Sequence, residues 1–146
     1  MTATMAWKVV GSVFVLRERA EAPSMQEWRS FLAAFSQYRA KSTLLKILIA
    51  TDGGGPDAEQ RTYIKGAIAG RPFLSAVVSD SIKIRFIASA IMLINKNHRS
   101  FTTLQVARAC DHLSLTPEER VGVGVALNEM TKALDARPSL WPTSAA

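Results

Sequence analysis

The stretch LKILIATDGGGPDAEQ, residues 45–60, decides the fold of this chain. It begins with an apolar run interrupted only by Lys46, which is typical of a strand covered on both faces of a parallel sheet. Three consecutive glycines, residues 53–55, follow where the backbone has to turn. Asp57 and Gln60 then form a capping pair that predicts the start of a helix. This order predicts an α/β domain, in which ligands and partners usually meet the carboxyl ends of the strands.

The composition favours a globular chain with one domain. Of the 146 residues, 48% are hydrophobic and 21% are charged, which suffices for a core. We expect this domain to cover residues 1–136, with a flexible tail at residues 137–146. Cys110 is the single cysteine, so no internal disulfide can form and a cytoplasmic location is expected. Every uninterrupted apolar run is far shorter than the roughly 20 residues that span a bilayer, and we expect no membrane insertion.

The net charge of +6 raises the question of nucleic-acid binding. Such binding needs basic side chains gathered on one face, with aromatic residues among them where bases stack. Lysine and arginine instead recur at fairly even spacing from Lys8 to Arg137. We therefore expect a solvated basic surface and no nucleic-acid partner.

Other patterns predict that the strand at the start of residues 45–60 belongs to a mixed sheet of about four to five strands. Residues 7–10 and 13–16 are apolar, β-branched runs joined by Gly11 and Ser12, which predicts an opening β-hairpin. Residues 74–79 predict a further strand, and a very short one is expected around Phe101. Helices packed on this sheet, and an additional C-terminal helix, are predicted from capping residues at Ser24, Asp57, Thr102 and Thr116 and at one of Ser79, Asp80 and Ser81.

The third predicted helix, residues 82–94, is apolar nearly all round. A helix on one face of a sheet needs a single apolar stripe, so Ile84, Ile91 and Met92 should leave apolar surface uncovered. Two explanations are open at this point. Either the C-terminal helix folds over the surplus, or another protein molecule covers it.

The VGSVFVL hairpin at residues 10–16, the element order and the turn led by Asp52 resemble the STAS domain. This is the fold of bacterial anti-sigma-factor antagonists and of the cytoplasmic tails of sulfate transporters. The resemblance covers residues 7–113 and implies a regulatory interaction domain. In the antagonists a hydroxyl in this turn is phosphorylated to release the partner. Gly53 and Gly54 stand at the hydroxyl positions here, so the phosphorylation switch is not implied.

We predict a non-enzymatic domain that binds a protein partner or a second copy of itself. No cofactor, metal or catalytic group is expected, because the chain lacks a catalytic motif and a set of zinc-spaced ligands. The turn and helix start would act together with the third helix. The predicted partner-binding residues are Asp52, Gly53, Gly54, Gly55, Asp57, Arg61, Ile84 and Ile91.

A different class of function is the alternative: a small-ligand or phosphate/nucleotide-binding protein with a pocket near the glycine turn. Free amides at a helix N-terminus favour anions, but the phosphate-loop spacings are missing and acidic groups stand close by. Asp52 and Asp80 end strands that should be neighbours and could bind Mg²⁺, although Asp80 also suits a helix cap. The turn is interpreted first as structural.

Overall fold

The computed structural model describes residues 3–67, 73–93 and 95–136 and shows an α/β fold around a five-stranded mixed sheet. β1 pairs with β2 in the antiparallel sense, and the three other neighbouring pairs are parallel. The predicted mixed sheet with an opening hairpin is confirmed. In chain order, which is also their order across the sheet, the strands are β1 (Met5–Val10), β2 (Val13–Glu18), β3 (Lys46–Thr51), β4 (Leu74–Val78) and β5 (His98–Phe101).

Within the described part of the chain, five α-helices connect or follow these strands, and a short 3₁₀ helix at Thr103–Gln105 precedes the fourth. The capping boxes predicted at Ser24 and Thr116 are both formed, with each hydroxyl accepting from the amide three residues on. The predicted tail at residues 137–146 lies outside the described residues. The helices are α1 (Met25–Lys41), α2 (Ala58–Ala67), α3 (Ile82–Met92), α4 (Val106–His112) and α5 (Pro117–Ala133).

Two apolar clusters cover the two faces of the sheet. On the face that we call the α1 face, Phe14, Leu16 and Ile47 pack against the aromatic side chains of α1. On the opposite α5 face, Val13, Val15 and their neighbours on β3 and β4 pack against α4 and α5. Strand alternation explains this division, because successive side chains of β2 point to opposite faces. The connections through α1 and α3 each join neighbouring parallel strands in the same direction, which places both helices on the α1 face.

The C-terminal helix does not cover α3. α5 buries Val123, Leu127 and Met130 on the α5 face, whereas α3 rests Ile84 and Ala88 on Val77 of the α1 face. The sheet therefore separates the two helices. Of the two explanations for surplus apolar surface on α3, coverage by the final helix is wrong.

Glu119 of α5 instead clamps the tip of the opening hairpin. One of its carboxylate oxygens accepts from the Ser12 amide at 2.7 Å and from the Ser12 hydroxyl at 2.6 Å. Burial alone would raise the pKa of Glu119, but the hydrogen bonds from Ser12 and Thr116 lower it to about 2. Gly122, one turn later, lies so close to the hairpin that a Cβ atom there would stand 2.6 Å from Val10 Cγ1. Gly122 lowers the helix propensity of α5, but its lack of a side chain allows α5 to pack closely on Val10 of the hairpin.

We predict opposite effects for two glycine-to-alanine substitutions in helices. Gly66→Ala on α2 meets no atom within 4 Å and should stabilise the fold by up to about 1 kcal/mol through helix propensity. Gly122→Ala gains the same propensity but has to displace Val10, whose β-branched side chain is stiff. Urea unfolding of both variants should place Gly122→Ala below Gly66→Ala by about 1 kcal/mol or more, and equal gains would contradict the close packing.

Candidate functional site

The glycine turn after β3 packs closely against the segment that follows β2. The Gly54 amide donates to the Arg19 carbonyl at 2.8 Å, and the Gly53 amide donates to Thr51 Oγ1 at 3.1 Å. A Cβ atom at Gly54 would collide with the carbonyl oxygens of Arg19 and Glu21, so only glycine fits there. Because both of these amides already bond within the protein, they are not free to cradle a phosphate.

Asp52 pairs with a buried arginine of β2. Arg17 Nη2 lies 2.9 Å from Asp52 Oδ1, and the Arg17 side chain is fully buried. On the same guanidinium, Nε donates to Thr131 Oγ1 of α5 at 3.0 Å and Nη1 donates to the Ala50 carbonyl at 3.4 Å. Asp52 therefore joins the turn to the core of the α5 face, with only 14% of its side chain exposed.

Asp57 and Arg61 hold the start of α2. Asp57 Oδ1 accepts from the Gln60 amide at 2.8 Å and Gln60 Oε1 accepts from the Asp57 amide at 3.0 Å, which confirms the predicted capping pair. Arg61 Nη1 donates to the Pro56 carbonyl at 3.0 Å. Asp57 is exposed and Arg61 is half-buried, so both keep some charge at the surface.

The structure does not bring Asp80 into a metal site with Asp52. The two Asp80 oxygens accept from the amide and the hydroxyl of Thr103, at 3.1 and 2.8 Å, and so anchor the 3₁₀ helix. Ser81 takes the N-cap position of α3. Within residues 3–67, 73–93 and 95–136, no group of three His, Cys, Asp or Glu side chains could hold a metal ion. The thiol of Cys110 is buried in the core, and burial raises its pKa.

The two predicted contact residues of α3 lie on its inner side. Ile84 is buried against the sheet and Ile91 is half-buried, so the prediction that Ile84 leaves surface uncovered is wrong. The exposed apolar side chains of α3 and its C-cap are Ile82, Phe86, Met92 and Leu93, at 72%, 77%, 38% and 89% exposure. The prediction is confirmed for Met92, but most of the uncovered apolar surface lies on the side of the helix opposite to Ile84 and Ile91.

Two adjoining cavities of about 80 and 30 Å³ lie on the α1 face, between the sheet, α1 and α3. Their walls are mainly apolar, and Gly54 and Gly55 close the smaller one. The alternative pocket near the glycine turn therefore corresponds to an internal space beneath the turn. Five residues line both cavities: Glu18, Ile49, Pro56, Ile91 and His98.

Three buried polar atoms at these cavities have no hydrogen-bond partner among the described residues: Glu18 Oε2, Trp28 Nε1 and His98 Nε2. Glu18 and His98 line both cavities, and Trp28 lines the larger one. Each of the three residues is at most 3% exposed. Buried polar atoms are normally paired, because leaving one unpaired costs about 1–3 kcal/mol.

Burial keeps both titratable groups of the cavity neutral at physiological pH. Burial raises the pKa of Glu18 to about 8, although the positive charge of Arg17 acts to lower it. Burial, helped by the charges of His112 and Arg99, lowers the pKa of His98 to about 4. The cavity thus presents a carboxylic acid at one position and an uncharged imidazole at another.

The sequence does not predict this cavity, because nothing around its polar residues in the sequence indicates that they are buried. Glu18 ends a strand, where a charged residue usually meets solvent, and Trp28 falls on the expected apolar stripe of α1. His98 stands in the basic stretch from Lys96 to Arg99, which gives no sign of burial. Asn95 is the one indication in the sequence of buried polar groups here, since a polar residue before a strand in an apolar region can be part of a buried hydrogen-bond network.

Comparisons with family models, curated proteins and solved structures return no match. The resemblance to the STAS domain therefore stays a prediction, as does the assignment of residues 1–136 to one domain. Among the described helices, none combines the length and the apolar character that a bilayer crossing requires.

We predict that Asp52→Ala destabilises the fold by about 3–5 kcal/mol, because it removes a partner of a fully buried guanidinium. Asp57→Ala, five residues along, loses a helix cap and should cost only about 1 kcal/mol. Urea denaturation of both variants tests the difference. Similar losses would show that the Arg17 pair contributes little more than a cap.

The raised pKa of Glu18 predicts a stability that falls with pH. The folded protein keeps this proton up to about pH 8, whereas the unfolded chain releases it near its ordinary value, so stability declines between these two values. From pH 6.5 to 8 the wild type should lose about 1 kcal/mol, because His98 of the unfolded chain still releases protons in this range and offsets part of the loss from Glu18. Glu18→Gln should abolish most of this slope in urea denaturation, and the surface control Glu129→Gln should retain it.

Proposed function

We propose that this chain is a non-enzymatic regulatory or scaffolding domain that binds a protein partner on the outward side of α3. The observation that carries this proposal is the exposed apolar stripe of Ile82, Phe86 and Leu93. These residues are spaced by four and seven positions, which places them on one side of a helix. Exposed apolar side chains that cluster in this way are typical of protein–protein contact sites.

The charge around α3 favours an acidic partner. Residues 81–98 contain Lys83, Arg85 and Lys96 but no aspartate or glutamate. All three side chains are exposed. A second copy bound through the same face would bring like charges together, whereas an acidic partner gains favourable electrostatics and a faster association rate. The occupant that fits best is an amphipathic helix of another protein, with leucine-like residues on one side and carboxylates on its flanks.

The glycine turn packs on the inner side of α3 and so fixes the position of the helix that carries this surface. A Cβ atom at Gly55 would lie 3.2 Å from Ile84 Cδ1 and 3.5 Å from Ile87 Cδ1, so the turn packs directly on α3. Gly54 and Gly55 are buried, which leaves Asp57 and Arg61 as the accessible polar groups at this edge. Because Gly53 and Gly54 carry no hydroxyl, the proposed domain works without the phosphorylation switch of the STAS antagonists.

We predict that an acidic amphipathic peptide binds α3 and that its basic counterpart with the same leucine stripe does not. NMR titration of the labelled protein should shift the backbone amides of Phe86 and Leu93 with the acidic peptide. Phe86→Ser should weaken this binding at least tenfold, because aromatic anchors carry much of the energy of such interfaces.

Leu44→Ser is the matched control, since Leu44 is also exposed, at 55%, but lies before β3 and away from α3. It should bind the acidic peptide like the wild type. Equal binding of both peptides, or an unchanged affinity in Phe86→Ser, would contradict the proposed surface. Light scattering of the free protein separates the remaining case, because a dimer abolished by Phe86→Ser would assign the stripe to self-association.

A further inference from the structure

The cavities on the α1 face are bordered by polar groups that the protein itself leaves unpaired. Among the described residues, Glu18 Oε2, Trp28 Nε1 and His98 Nε2 have no hydrogen-bond partner. All three residues line the larger cavity, and Glu18 and His98 also line the smaller one. Cavities that stay dry in proteins have apolar linings, whereas unpaired polar groups beside a cavity are normally bridged by buried water.

The volumes of the two cavities suit water and are too small for a metabolite. A water molecule occupies about 30 Å³ in the liquid and needs two to four polar partners in a protein. The cavities of about 80 and 30 Å³ therefore have room for about two or three molecules and about one molecule, respectively. Because waters also bond to one another, a few molecules can serve three separate polar atoms.

Water can pair with all three atoms wherever the histidine proton lies. The Trp28 indole can only donate, and a water oxygen accepts from it. Ser75 Oγ lies 2.6 Å from His98 Nδ1, and a hydroxyl can either donate or accept there. His98 Nε2 is an acceptor in one tautomer and a donor in the other, and water is a partner for both. The same is true of Glu18 Oε2 in a protonated or an ionised carboxyl group.

Of the two helices beside the cavities, α3 is the less firmly held. It buries only Ile84 and Ala88, whereas α1 buries four aromatic side chains. Its N-cap residue Ser81 makes no side-chain capping bond within the described chain, and its first turn contains no acidic residue. An element with few buried apolar contacts opens locally at a lower free energy than the whole fold unfolds.

We propose that the two cavities form an internal water site for about three or four molecules, and that α3 opens to exchange them with solvent. The waters accept from Trp28 and pair with Glu18 and His98. Ile84 and Ala88 of α3 line the smaller cavity, so a displacement of this helix connects the site to the surface. The site lies on the inner side of α3 and does not depend on the proposed docking surface having a partner.

Two NMR measurements on the wild type test the water site. Oxygen-17 relaxation dispersion counts long-lived waters and should give about three or four per protein molecule. Water–protein Overhauser spectra should show cross-peaks with the sign of long-lived water at the methyl groups of Leu16 and Ala88, which line the larger and the smaller cavity. Leu127 is the matched control, because it is fully buried on the α5 face and should show no such cross-peak.

Hydrogen exchange tests the opening of α3. Corrected for intrinsic rates, the amide of Ala88 should exchange at least about tenfold faster than that of Phe35 in α1. Lys83→Glu places an acidic residue in the first turn of α3 and should slow exchange of the α3 amides about two- to fivefold through the helix dipole. The residence time of the waters should lengthen by the same factor. Arg29→Glu makes the same charge change on the exposed side of α1 and should alter neither quantity.

Each part of the proposal can fail separately. A count of zero long-lived waters, with no cross-peaks at Leu16 and Ala88, would overturn the water site. An Ala88 amide that exchanges no faster than that of Phe35 would overturn the opening of α3. An unchanged water residence time in Lys83→Glu would show that the waters leave by another route. The wild-type measurements decide the first two points even where a variant fails to fold.

Discussion

The fully buried guanidinium of Arg17 is the constraint on which the rest of the structure depends. A buried charge is tolerated only where its hydrogen bonds are satisfied, and here Asp52, Thr131 and the Ala50 carbonyl supply them. These partners come from the turn after β3, from α5 and from β3 itself. The arrangement of the turn and the position of the C-terminal helix therefore follow from one side chain of β2.

Glu18, the residue after Arg17 on β2, is also buried, but its charge is removed where that of Arg17 is paired. Arg17 and Glu18 alternate across β2, so the arginine enters the closely packed α5 face and the glutamate enters the α1 face. The arginine meets a carboxylate, while the glutamate meets apolar walls and stays protonated. One face of the sheet is thereby closed around an ion pair, and the other retains two small cavities.

Local sequence signals predicted the elements well, since capping residues and apolar runs act over a few neighbours. The strand at residues 46–51, the turn and the capped α2 all appear where the pattern placed them. The side that α3 turns outward was not predictable, because a helix that is apolar nearly all round has no stripe that selects one face. Ile84 was expected at the surface for this reason, and Phe86 was overlooked.

The roles of the charged residues also required the tertiary structure. Asp52 looked like an accessible residue of a functional turn, and nothing near it in the sequence indicates Arg17, which lies 35 positions earlier. The sequence VFVLRE of β2 ends in two charges that normally mark the solvent-exposed end of a strand. Arg17 is buried against Thr131 of α5, 114 positions later, and Glu18 lies among residues of α1, α3 and β5. Local sequence reasoning places neither set of contacts.

The clamp between Glu119 and Ser12 has a consequence for the order in which the chain acquires its structure. The two residues are separated by 107 positions, and Arg17 and Thr131 by 114. During synthesis on a ribosome, β1 and β2 emerge long before the helix that covers them. The apolar side chains of their α5 face remain exposed to solvent until α5 has been synthesised. Nascent chains halted before residue 117 should therefore bind chaperones that recognise exposed apolar strands.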